Sequence, residues 1–203
     1  GLAPFYDDGQ VTLLDGGLPY TRHRVRRGLT HLGSDVSQVT RIIATHAHND
    51  HAGGLAWVAR KSGAPVVAHE LDAPYLRKGR VPPIGPQTRG RGVLEVLGHY
   101  PKVAVTTTVA DGESIEGGLR AFHTPGHTPG HTSWLHEPSG TLVTGDAVHF
   151  YKGEVRIGGR VVSPGVSSSP ISLSSNVSLV DDCAASALSA ASSADASACS
   201  APM

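Results

Sequence analysis

Thr45-His-Ala-His-Asn-Asp-His-Ala-Gly-Gly54 packs His46, His48, Asp50 and His51 into six residues, directly after the apolar run Ile42-Ile43-Ala44. Imidazole nitrogens and carboxylates are the ligands that suit zinc and similar first-row ions. Four of them this close together crowd the backbone with polar groups unless an ion binds them. Isolated histidines are ordinarily surface groups or locally satisfied core groups. This spacing reads instead as a metal site.

Two later stretches point the same way. Phe122-His-Thr-Pro-Gly-His-Thr-Pro-Gly-His131 carries His123, His127 and His131 at intervals of four, in a context too rich in Pro and Gly for a helix. Pro fixes φ and Gly permits close turns, so a loop of this kind presents an imidazole with little remaining freedom. Leu142-Val-Thr-Gly-Asp146 reads as an apolar strand ending on a carboxylate. Alone, such an Asp is as readily a turn or cap residue; beside two histidine clusters it reads as a ligand.

Around these clusters, short β-branched runs alternate with Gly, Pro and Asp turns. Strands are expected at Val11–Leu14, Arg41–Thr45, Pro65–Ala68, Val103–Val109, Leu119–His123, Ser133–His136 and Thr141–Thr144, and helices at Tyr20–Leu32, Ala52–Lys61 and Glu70–Arg77. The Gly79–Gly92 stretch, with Arg77, Lys78, Arg80, Arg89 and Arg91 in or beside it, reads equally as a loop for an anionic substrate tail and as a solvated basic loop. From Ser163 onward the character changes: Ser and Ala dominate, aromatic residues are absent, and the only charges are Asp181, Asp182 and Asp195. The chain is therefore divided into a metal-binding domain over 1–162 and a Ser/Ala-rich, weakly structured tail over 163–203, since such a tail buries too little apolar surface to offset its ordering entropy.

Composition narrows the partners. Lys plus Arg equals Asp plus Glu at 17 each, so no net field favours nucleic acid or an anionic membrane, and no apolar run reaches the 18–20 or so residues of a membrane span. The opening Gly-Leu-Ala-Pro-Phe-Tyr lacks the pattern of a secretory signal, and the cysteines, Cys183 and Cys199, both fall in the tail. The expectation is a cytoplasmic protein that takes a small-molecule substrate, with pairing into a homo-oligomer open.

The three clusters, in this order, resemble the metallo-β-lactamase-fold hydrolases, nearest to the hydroxyacylglutathione hydrolase and lactonase branches, over roughly Val11 to Tyr151. That resemblance implies an α/β fold, an αββα sandwich, incomplete here at the C-terminal end. It implies that His46, His48 and His127 bind a first metal, that Asp50 and His51 bind a second, and that Asp146 bridges both. His123 and His131 become structural or supporting groups, and Asp15, in the Asp15-Gly-Gly turn, supports the site. In true β-lactamases of this fold the position of Asp146 is typically Cys or a non-ligand, so antibiotic hydrolysis is disfavoured. Family members supply one more His near the C-terminal end, whereas this sequence has no histidine after His149. The second site is accordingly expected to be short of a ligand.

The chemistry implied is hydrolysis: a metal-activated hydroxide attacks a thioester, lactone or related carbonyl, and Asp50 orients it or takes its proton. Zinc is the expected ion, with iron or manganese as alternatives. Two other readings stand beside it. One is a degenerate, non-catalytic metal-binding protein; the other is a mononuclear iron enzyme resembling persulfide dioxygenases, held by His46, His127 and Asp146.

Overall fold

The computed structural model of the chain describes residues 3–7, 9–83, 92, 98–151, 154–157 and 178–179. Strands β1 (Ala3–Asp7) and β2 (Gln10–Leu14) form an antiparallel hairpin; β2 then runs parallel to β3 (Val39–Ile43), β3 to β4 (Val66–His69) and β4 to β5 (Thr107–Val109). Parallel neighbours need crossover connections. Helix α1 (Arg22–His31) lies between β2 and β3, α2 (Asn49–Ala52) and α3 (Leu55–Ser62) between β3 and β4, and α4 (Ala73–Lys78) between β4 and β5. A second sheet has the order β12-β9-β8-β7-β6. In it β6 (Ser114–Ile115), β7 (Leu119–His123), β8 (Thr132–His136) and β9 (Thr141–Val143) pair antiparallel in sequence, while β12 (Ser178–Leu179) joins β9 in parallel. Strands β10 (Val148–Tyr151) and β11 (Glu154–Ile157) make a separate hairpin.

The period-2 alternation of the first sheet divides its apolar residues between two cores. Leu13, Ile42, Val66 and Ala68 pack with Val25, Leu29, Leu55, Trp57 and Leu76 of the helices. Their neighbours Leu14, Ile43, Val67 and Val109 face the other way, against Leu119, Ala121, Trp134 and Val143 of the second sheet. Both faces of the first sheet are therefore covered, which is why its strands read as unbroken apolar runs. The α/β class and the stacking of helices on two facing sheets agree with the expectation. The helices named here all place their buried apolar residues in the first core, and among the described residues no helix packs on the outer face of the second sheet; most of the Gly79–Gly92 loop lies outside the described residues. So does the tail from 163, apart from Ser178 and Leu179, which pair with Thr141 and Leu142. Among the described residues no helix is long and apolar enough to cross a membrane.

Helices α1 and α4 start two and three residues later than the sequence reading has them, and three further differences bear on the site. The strand expected to reach Thr45 stops at Ile43. The expected Ala52–Lys61 helix is two helices, α2 and α3, parted at Gly53-Gly54. There the backbone passes so close to the Asp15-Gly-Gly turn that a Cβ on Gly54 would collide with the Gly16 carbonyl oxygen. Residues 103–106 are not a ladder strand: Val103 N–H donates to the Leu76 carbonyl at 2.9 Å and Thr106 N–H to that of Val66 at 2.9 Å, while Val103 and Val105 fill the helix-side core.

Candidate metal centre

The candidate ligands converge because the parallel strands all end on one side. Asp15 follows β2, the His46-Ala47-His48 segment follows β3, and Asp72 follows β4, so three successive strands open their carboxyl ends onto one crevice. The second sheet contributes the loop between β7 and β8, which carries His127, and the 3-10 turn Gly145–Ala147 after β9, which carries Asp146.

Two overlapping sets have all their ligand atoms within 4.8 Å of one another: His46, His48 and His127, and His46, His51 and Asp146. His48 Nδ1 lies 2.8 Å from His127 Nε2. Asp146 sits between the clusters, with Oδ1 3.1 Å from His51 Nε2 and Oδ2 3.2 Å from His127 Nε2. Asp50 stands at the edge, its side chain 53 % exposed and Oδ2 3.9 Å from His51 Nε2. All six predicted site residues thus occupy one locality, with Asp50 outermost.

Behind them, hydrogen bonding orients the rings. Asp15, in a left-handed backbone conformation at φ 60°, accepts from Thr45 N–H (2.9 Å) and Thr45 Oγ1 (2.7 Å), and Asp15 Oδ2 also receives His51 Nδ1–H at 2.8 Å. The single Thr45 hydroxyl proton is committed to Asp15, so Thr45 Oγ1 accepts from His46 Nδ1–H, 3.0 Å away. One carboxylate therefore fixes the tautomers of two imidazoles, leaving Nε2 of His46 as a lone pair aimed into the cluster. His131, fully buried, takes a supporting place: Nδ1 meets Thr124 Oγ1 at 2.8 Å and Nε2 accepts from Asp146 N–H at 3.0 Å. Gly145, at φ +52°, packs so tightly on this ring that a Cβ would lie 2.8 Å from His131 Nε2. His123 stacks on His69 with ring centroids 4.2 Å apart and donates to the Pro129 carbonyl at 2.8 Å. His69 and His136 are satisfied groups, accepting from Leu71 N–H and bonding Ser139 Oγ.

The charges follow from this enclosure. Burial, reinforced by the neighbouring imidazoles, holds His46 well below its ordinary pKa and brings His48 and His131 down to about 3. His51 goes the other way: burial disfavours its charge, but Asp15 and Asp146 outweigh that and raise it to about 10. Burial likewise pushes Asp15 and Asp146 up, and the imidazoles that contact them override it, so both carboxyls titrate below the usual range. Neutral His46 and His48 beside ionised Asp146 are in the protonation states a cation requires, whereas His51, held as the charged imidazolium by Asp15 and Asp146, would have to release its Nε2 proton to serve as a ligand.

Two contributors went unread in the sequence. Asp72, 1 % exposed, accepts from Ala47 N–H, Thr128 Oγ1 and Gly130 N–H. Tyr100 donates its hydroxyl to the Ala47 carbonyl at 3.1 Å. Neither lies in a motif, and the partners through which they reach the site are 25 to 58 residues away.

The donor set suits a divalent cation. His46 Nε2 is buried and has no hydrogen-bond partner among the described residues. An imidazole nitrogen left so is costly unless an ion takes its lone pair.

Comparison with known proteins gives the same direction. YobT of Bacillus subtilis (strain 168) is 34% identical over 161 residues, covering 76% of this chain and 64% of YobT. The "Probable metallo-hydrolase YflN" of the same organism is 29% identical over 144 residues, covering 67% of this chain and 54% of its own length. Among solved structures, BJP-1, a subclass B3 metallo-beta-lactamase of Bradyrhizobium japonicum, superposes with a TM-score of 0.56 at 29% identity, over 75% of this chain and 52% of BJP-1. The chain thus spans only 52% to 64% of the length of these proteins. The sequence profile of the metallo-beta-lactamase superfamily matches residues 5–181, and the chain belongs to that superfamily.

Proposed function

We propose that this protein is a metal-dependent hydrolase in which His46, His48 and His127 hold a zinc ion, with Asp146 beside them, and that it acts on a thioester, lactone or related carbonyl compound. The observation that carries this reading is the convergence of three imidazole nitrogens, one of them the unpartnered, buried His46 Nε2, within 4.8 Å. Zinc at such a site supplies Lewis acidity toward a carbonyl and toward water. The protein's own groups do the rest. Asp15 holds His46, through Thr45, and His51 in the tautomers that turn Nε2 inward. Asp146 keeps a carboxylate facing both His51 and His127. Asp50, the most exposed acid of the set, stands where it can orient a water or accept its proton. For a second ion, His51 and Asp146 come within reach of His46, with Asp50 at the rim.

The third imidazole, His48, favours zinc over the iron reading, in which two histidines and one carboxylate suffice. The test is metal content per chain, followed by turnover of thioester and lactone panels before chelation, after it, and after zinc is restored. Turnover that survives complete metal removal defeats the proposal. Iron as the resident metal with oxygen uptake supports the dioxygenase reading; bound metal without turnover of either panel supports the non-catalytic one.

A further inference from the structure

Asp72 is not among the six candidate ligands, yet three buried donors end on it. Ala47 N–H reaches Oδ2 at 2.8 Å, Thr128 Oγ1 reaches the same oxygen at 2.7 Å, and Gly130 N–H reaches Oδ1 at 2.7 Å. Ala47 lies between His46 and His48, and Thr128 follows His127 directly. The carboxylate therefore joins the two segments, from opposite sheets, whose rings approach to 2.8 Å. Asp72 is itself anchored: its N–H donates to the His69 carbonyl at 3.1 Å, its carbonyl accepts from Tyr75 and Leu76 N–H at 3.0 and 3.1 Å, and the adjoining Ala73 and Leu76 sit in the helix-side core. On the far side of Ala47, Tyr100 holds the carbonyl. Gly130 completes the fit, since a Cβ there would lie 2.5 Å from Asp72 N and 2.9 Å from Oδ1.

We propose that Asp72 is a positioning residue for the metal centre: a buried carboxylate clamp that sets the separation of His46 and His48 from His127 and thereby the affinity and geometry of the site. This assignment rests on the metal-binding reading above. A charged acceptor is suited to the task because hydrogen bonds to an ionised group are shorter and about twice as strong as neutral ones. Partners behind the ligands of metal sites typically change affinity about 10- to 100-fold when removed. Asn at this position keeps the shape but turns an NH2 toward one of the three donors, and Val at 128 deletes one donor without changing the carboxylate.

The experiment titrates cobalt(II) into the metal-free full chain and into D72N and T128V, reading affinity by chelator competition and ligand geometry by the visible absorption band. Near-UV circular dichroism monitors folding. The expected result is a 10- to 100-fold loss of affinity in D72N, a smaller loss in T128V, and a changed visible band in both. A residue that only stabilised the fold would lower the unfolding temperature and leave the band of the folded protein unaltered. If D72N does not fold, T128V decides: a wild-type affinity and spectrum overturn the assignment. Cobalt and zinc both failing to bind the wild-type chain would remove the metal reading and this assignment together, whereas binding that is identical in all three proteins removes only the role of Asp72.

Discussion

Exchange of Asp15 for Asn isolates the charge that organises the crevice. Asn is the informative substitute, because Asp15 has a φ of 60° and Asn is among the few residues that tolerate this conformation. The shape of the turn is kept while the charge goes. Asp15 and His51 are 2.8 Å apart with side chains only 2 % and 3 % exposed. Breaking a buried pair by removing one partner costs about 3–5 kcal/mol. Asn retains one oxygen for Thr45, so we expect the lower end, about 3 kcal/mol, equivalent to a fall of roughly 6–12 °C in Tm for a chain of this size. The measurement is urea and thermal unfolding of chelator-treated protein at pH 7. A pH arm sharpens it. His51 is raised in the fold to about 10 against 6.5 when free, so its contribution is complete below pH 6.5 and disappears as the pH climbs toward 10. The slope approaches 1.4 kcal/mol per pH unit for one proton. Wild-type stability should therefore decline across this window, and D15N should decline less. A D15N protein within about 1 kcal/mol of wild type, with a parallel pH curve, would refute the assignment of charge to this pair.

Other outcomes follow from the same geometry. On the acid side, the metal-free fold holds His48 and His131 near pKa 3 while the unfolded chain binds protons at 6.5, so stability should fall as the pH drops from 6.5 toward 3, as pH-dependent urea midpoints will show. Trp134 is fully buried between the sheets with an indole N–H that has no partner among the described residues. W134A should cost about 3–5 kcal/mol in urea unfolding, whereas W134F, which removes the unpaired N–H and keeps a ring, should cost markedly less. G145A combines a strained φ with a close approach to His131; it should lose about 1–2 kcal/mol from the backbone alone and weaken zinc binding measured by calorimetry, because Asp146 is the next residue.

The metal cluster was legible because its chemistry is local. His46, His48, Asp50 and His51 announce themselves by spacing, and the Pro/Gly loop around His127 and the strand before Asp146 extend the pattern. The period-2 runs around Leu13-Leu14, Ile42-Ile43 and Val66-Val67 likewise identify strands buried on both faces. What escaped reading depends on contacts distant in sequence. Asp72 looks like an ordinary residue at the start of a short helix, and its partners are 25, 56 and 58 positions away. The break between α2 and α3 reflects Gly54 lying against Gly16, a tertiary approach that no helical periodicity reveals. Strand β1 is an edge strand whose pairing with β2 supplies order that its own composition does not.

The origin of the ligands in two different sheets also bears on how the chain matures. His48 and His127 are 79 positions apart, so closing that loop carries an entropic cost that must be met before the two rings can share anything. The core between the sheets, built from Leu14, Ile43, Trp134 and Val143, meets it without drawing on any ligand. A nascent chain with only its first sheet assembled owns His46, His48 and His51 but lacks the opposing half. On the metal-binding reading, docking of the two sheets would therefore come before uptake of the ion, and metal-depleted cells should then accumulate folded, ion-free protein that binds metal on addition.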